Sequence, residues 1–157
     1  MVRFASLQLQ EQLFLVERGL RVELAMKEVE TLLLDAETSQ RGYLFTQEEA
    51  YLAPYNESSR RLPLTVQELR SLIKDPGIKT MAGGLEPLIS AKVAELQETI
   101  DLTRSGRAEE ARKLVLSGEG KQSMEKIRAL LFEMTAAEER VMADLSLIHI
   151  SEPTRPY

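Results

Sequence analysis

The sequence predicts an all-α fold, an elongated antiparallel up-down-up-down four-helix bundle with a long N-terminal helix overhanging as a stalk. Three observations predict it. Apolar residues recur in steps of three and four through four long stretches. Leu, Ala, Glu, Lys and Arg dominate, with 5% aromatic residues and no Trp. The connections between the stretches are short, as in an antiparallel bundle. A chain of 157 residues, 43% of them hydrophobic, is enough for one domain with a sizeable core.

The first helix is expected from about residue 4 to 45. Its apolar positions are Leu9, Leu13, Val16 and Leu20, then Val22, Met26, Val29, Leu33 and Ala36. Continuing the register places Gln40 and Tyr43 on the same stripe, so polar groups stand where core is expected. Thr46 followed by Glu49 has capping-box spacing, which opens helix two at about 47 and carries it to 73, with Leu62, Val66, Leu69 and Ile73 inward. Pro54 and Pro63 fall inside that span, so one or two kinks are expected.

Asp75 followed by Pro76 reads as an N-cap and first helical position, opening helix three with the seam Leu85, Ile89, Val93, Leu96 and Ile100. Ser105 and Gly106 stop it. A short helix, Arg107 to Leu116, precedes Ser117, Gly118, Glu119 and Gly120, after which helix four carries Ile127, Leu131, Met134 and Val141 to about 144. Glu138 and Glu139 read as part of a solvated face. Helix one is far longer than helix two, so residues before about 21 should overhang the bundle at the end where both termini emerge.

Residues 145–157 stand apart. LSLIHISEPTR, at 145 to 155, is the translation of a string resembling a transposase sequencing adapter, so the helical domain is placed at 1–144 and the remainder is read as an adapter-derived tail. His149, the one histidine, lies in that tail.

Composition excludes much chemistry. A net charge of −5, without a block of like charge, argues against a nucleic-acid partner. The absence of cysteine removes disulfides and thiolates. With no His or Cys in residues 1–144 there is no imidazole base, no thiol nucleophile and none of the usual zinc or haem ligands, so no catalytic residue, metal or cofactor is expected. Glu-x-x-His pairs for a di-iron site are lacking, and SGEGK at 117 to 121 lacks the first glycine and the hydroxyl residue of a phosphate loop. No stretch free of charged residues reaches ten, against the ~20 apolar residues of a membrane helix, so neither a membrane span nor a signal peptide is expected within these residues.

Residues 35 to 55, DAETSQRGYLFTQEEAYLAPY, carry the strongest local signal. Asp35, Glu37, Thr38, Gln40, Arg41, Gly42 and Tyr43 combine charge, amide, glycine and phenol at a helical corner, where a plain surface helix has no need of them. Glu37 and Arg41 sit at the favourable i,i+4 spacing. Gly42 suggests close approach of a neighbour, with Thr38 completing a narrow face. Tyr51 and Tyr55 read as core-edge residues with their hydroxyls in water. A structural interlock of Glu37, Gln40, Arg41 and Tyr43 is preferred to direct ligand contact.

This stretch resembles the third CHASE family, the extracellular sensory domains of bacterial histidine kinases and cyclases. The run Asp-Ala-Glu-Thr-x-Gln-Arg-Gly-Tyr-Leu, then Thr and Glu-x-Tyr-Leu-x-Pro-Tyr, is closely similar to that family's pattern. LEPLISAKVAELQETI (85 to 100) and SGEGKQSMEKIRALLFEM (117 to 134) resemble its third and fourth helices, so the likeness spans roughly 20 to 142. Two departures are Gln47, where the family has a turn glycine, and Met81, Ala82, Gly83 and Gly84, in place of a polar helical turn.

The resemblance implies an extracytoplasmic, periplasmic or extracellular, input module of a membrane receptor. Membrane helices before and after it would be missing here, and a histidine kinase or cyclase output would lie beyond. A stimulus, whose ligand is not named by these residues, would shift helices one and four. Leu9, Leu13, Val16 and Leu20 would close against a second subunit as a parallel dimeric stalk. The reading from a different class is a soluble helical-bundle protein-interaction adaptor.

Overall fold

The computed structural model describes residues 2–151, with side chains as far as Leu147. Helix α1 spans Val2–Thr46, α2 Ala53–Leu72, α3 Pro76–Arg104, α4 Ala108–Leu116 and α5 Glu119–Ser151, and a 3-10 turn at Glu49–Leu52 joins α1 to α2. No strand occurs among the described residues. The side chains of Ile148, His149, Ile150 and Ser151, and residues 152–157 with Pro153 and Pro156, lie outside the described part.

Helix α1 runs 45 residues without a proline, about 68 Å at 1.5 Å per residue, whereas the 20 residues of α2 span about 30 Å. Val22, Met26, Val29, Leu33 and Ala36 are buried as the period requires, and the stripe continues into buried Gln40 and Tyr43. Gly19 is the first buried residue, so nearly all of α1 before Val22 projects beyond the core, with Leu9, Leu13, Val16 and Leu20 exposed.

The corner departs from expectation in three ways. The capping box does not form. Thr46 Oγ1 donates to the Gly42 carbonyl (2.8 Å) and accepts from the amide of Glu48 (3.2 Å), not from that of Glu49. Gln47 has φ of 58°, the left-handed conformation that ends α1 where a glycine is ordinarily used, and its N–H bonds back to the Tyr43 carbonyl at 2.7 Å. The chain therefore restarts as a 3-10 turn and α2 opens at Ala53. Pro54 consequently stands in the first turn of α2, where its missing N–H would have had no partner, and it breaks nothing. Pro63 alone interrupts the helix interior.

Asp75 caps α3 as expected, its Oδ1 accepting from the Ile78 amide at 3.0 Å. The helix continues through Gly83, Gly84 and Pro87. It closes in a Schellman motif, with Arg107 N–H on the Leu102 carbonyl, Gly106 N–H on that of Thr103, and Gly106 at φ 82°. Helix α5 runs on through residues 145–151 rather than ending near 144, because no helix breaker stands between Asp144 and Pro153. One side-chain reading is overturned. Glu138 is only 2% exposed, because it occupies the core stripe of α5, while Glu139 is the solvated one.

The main core joins α1, α2, α3 and α5, with Val93 and Val141 packed at its margin. A second cluster of Ala36, Tyr43, Leu52, Tyr55, Leu96 and Ile100 lies beneath the corner.

Candidate functional site

The corner is held by polar groups that the helix register drives into the core. Gln40, 2% exposed, donates from Nε2 to Thr99 Oγ1 at 2.7 Å, and Thr99 Oγ1 donates in turn to the Leu96 carbonyl at 2.8 Å. Each buried polar atom in this chain would otherwise forfeit its solvation, at about 1–3 kcal/mol. Ser39, also buried, donates its hydroxyl to the Tyr51 carbonyl and accepts from the Tyr55 amide at 3.0 Å. One serine on α1 thus ties the end of the 3-10 turn and the first turn of α2 to α1.

Glu37 faces two cations. It pairs with Arg41 on its own helix, and its Oε2 lies 3.0 Å from the Lys92 ammonium on α3, which also lies 3.2 Å from Glu95. The Lys92 side chain is 3% exposed against 67% for Arg41, so the interior member of this network is the lysine and Arg41 is its outermost one. The Glu95 carboxylate presses on the start of α5, where a Cβ on Gly120 would come within 2.6 Å of Oε2. An acid against a helix N-terminus is favourably placed.

Gly42 has a concrete reason. A Cβ there would stand 2.7 Å from Tyr51 Cδ1, so the close approach is made by the Tyr51 ring from the turn, and Thr38, which is exposed, takes no part. Asp35 is exposed as well. Tyr43 is buried beneath the Arg104 guanidinium, 5.9 Å from ring centroid to Cζ, and Arg104 forks onto Glu49 at 2.8 and 3.0 Å. Arg104 holds the Glu49 carboxyl below its ordinary value, and Glu49 in turn raises the guanidinium.

Tyr55 is buried, and its hydroxyl is not left to water: it donates to Gln97 Oε1 at 2.7 Å, and Gln97 Nε2 donates to Asp101. Burial pushes the phenol up from its ordinary value, with the Ser59 hydroxyl acting against it. The Tyr55–Gln97 bond spans the head of an open groove of about 800 Å³ between α2 and α3, floored by Leu62, Val66, Ile89 and Val93.

The structure thus brings Glu37, Gln40, Gly42, Tyr43, Tyr51 and Tyr55 into one assembly, leaves Arg41 at its edge, and places Asp35 and Thr38 outside it. Sequence reasoning missed Ser39, Lys92, Glu95, Thr99 and Arg104. For two of these a signal exists, since 85, 89, 92, 96, 99 and 103 repeat in steps of four and three as faithfully as the apolar seam, and place Lys92 and Thr99 inward. The assembly contains no nucleophile paired with a base. Among the described residues no group of three or more His, Cys, Asp or Glu side chains could hold a metal ion, and no helix is long and apolar enough to cross a membrane. Its chemistry is that of a latch, a set of directional bonds that fix α1 against α3 and the turn.

Two solved structures share this architecture. The sensor domain of the Rhodopseudomonas palustris histidine kinase HK9 is 26% identical, with a TM-score of 0.73 over 78% of this chain and 97% of its own. A periplasmic sensor domain of a sensor histidine kinase, at 18% identity, shares the fold with a TM-score of 0.79 over 92% of this chain and 97% of its own. No curated protein matches the chain. The model of the CHASE3 domain matches residues 13–146, spanning the corner, all four long helices and part of the projecting segment of α1, and the chain belongs to the CHASE3 domain family.

Proposed function

We propose that this chain is the extracytoplasmic sensory input domain of a membrane-bound signal-transduction receptor of histidine kinase or cyclase type, and that it transmits its signal by helix shifts. The observation that carries the reading is the continuity of α1. One helix runs from the projecting segment through the core to the corner, so a change in the corner latch has a rigid route of about 68 Å along which to act. The family match and the two sensor-domain structures support it.

The corner residues Glu37, Gln40, Tyr43, Tyr51 and Tyr55, with Lys92, are the signal-responsive site in this reading. The exposed row Leu9, Leu13, Val16 and Leu20 is the surface through which two receptor subunits pair. The catalytic output belongs to another part of the full-length receptor.

The genomic DNA on either side tests the proposal. Apolar stretches of about 20 residues before the first helix and after α5, followed by a kinase or cyclase module, are expected. A clean start at Met1 and a stop codon soon after Asp144 would instead leave a freestanding adaptor and overturn the receptor reading.

A further inference from the structure

Near the end where α1 and α5 leave the bundle, the core stripe of α5 contains a carboxylate. Ile127, Leu131, Met134, Glu138 and Val141 succeed one another in steps of four and three, so Glu138 occupies a seam position between two apolar layers. It is 2% exposed and, among the described residues, its Oε2 has no hydrogen-bond partner, while on α1 the Nε of Arg18 is also buried and without one. The two helices are close at this level, since a Cβ on Gly19 would lie 3.1 Å from Met142 Cε.

The charged groups acting on Glu138 are Arg18 and Glu23 from α1 and Asp75 from the start of α3. Glu139, next along α5, is exposed. One cation is set against two acids around a side chain that is itself 2% exposed, at the edge of an open cavity lined by Val16, Leu20 and Met142. An ionised carboxylate here is desolvated first of all; Arg18 offsets part of that cost, Asp75 and Glu23 add to it, and a proton relieves it.

We propose that Glu138 is a proton-operated latch on the α1–α5 contact, and that pH is an input to this domain. With the proton bound, the Glu138 layer closes like the apolar layers on either side. With the proton lost, the carboxylate draws water into the layer and loosens the pairing of the two helices that lead out of the bundle. The assignment of these helices as the output route rests on the sensory reading above; the titration itself does not.

Burial pushes the Glu138 carboxyl up from its ordinary value of 4.5, Arg18 opposes this, and Asp75 and Glu23 add to it. The native state therefore binds this proton more tightly than the unfolded chain. The contribution to stability is fully present below the ordinary carboxylate value and is lost as pH rises through the raised one.

The test uses the whole chain, which has no cysteine of its own. Melting temperature is followed between about pH 4 and 8 for the parent, Glu138→Gln, Glu138→Leu and the exposed control Glu139→Gln. The parent and the control should lose roughly 3 °C or more with rising pH, and the two Glu138 variants should lack that decline. Spin labels at exposed Glu17→Cys and Ala143→Cys report the α1–α5 distance. It should lengthen or broaden with rising pH in the parent and stay at the acid value in Glu138→Gln.

A decline that persists in both Glu138 variants overturns the proposal, as does a distance that does not respond to pH in the parent. Either result leaves the receptor reading untouched, since flanking membrane helices decide that separately.

Discussion

Replacing Lys92 by methionine removes one charge while keeping nearly the whole apolar stem. In the parent the ammonium lies 3.0 Å from Glu37 and 3.2 Å from Glu95, whose side chains are 14% and 12% exposed. Taking one partner out of a buried ion pair costs about 3–5 kcal/mol, because the remaining charge has neither water nor counterion. Here both carboxylates keep an edge in solvent and Arg41 stays on Glu37, so the lower end, about 3 kcal/mol, is expected. For a domain of this size that corresponds to a fall in melting temperature of about 6–12 °C. In urea the midpoint should fall with the slope unchanged. The triple change Lys92→Met, Glu37→Gln, Glu95→Gln should recover part of the loss, because it also removes the carboxylates that Lys92→Met strands. Arg41→Ala should cost below about 1 kcal/mol, as an exposed pair does. If Lys92→Met lies within about 0.5 kcal/mol of the parent, or Arg41→Ala is the more damaging of the two, the buried lysine is not the keystone of the corner.

Three further changes probe the same architecture. Gly42→Ala should lower the melting temperature despite the better helix former, because its methyl meets the Tyr51 ring at 2.7 Å, and adding Tyr51→Ala should remove that penalty when the double variant is compared with Tyr51→Ala alone. Gln47→Gly should raise stability by up to about 1 kcal/mol in chemical denaturation, since the position is held at φ 58°. A Leu13→Glu, Val16→Glu variant should sediment as a monomer under conditions where the parent associates through the exposed face of α1. Identical sedimentation of the two, with the parent monomeric and α1 fully protected in hydrogen exchange, would remove that face as an interface.

The bundle was legible in the sequence because a repeat of three and four is a local property. Any helix carrying Val22, Met26, Val29, Leu33 and Ala36 buries that stripe, whatever it packs against, and the stop at Ser105 and Gly106 and the cap at Asp75 are equally local. The same logic placed Gln40 and Tyr43 inward and marked the row Leu9, Leu13, Val16 and Leu20 that is exposed on α1. Local patterns failed where two rules competed. Thr46 and Glu49 match a capping box, but the left-handed Gln47 ended α1 in another way and turned Pro54 from a helix breaker into a helix starter.

Tertiary structure alone decided which polar groups met. Glu37 and Lys92 are 55 positions apart, Gln40 and Thr99 are 59, and Glu49 and Arg104 are 55. No short-range rule pairs them, because the energy of each bond depends on how two helices are rotated and how deeply the pair is buried. Glu138 shows the same division. Its seam position is written in the spacing, but that a carboxylate would stay there, with one oxygen lacking a hydrogen-bond partner among the described residues and Asp75 and Glu23 acting on it, follows only from how the helices close around it.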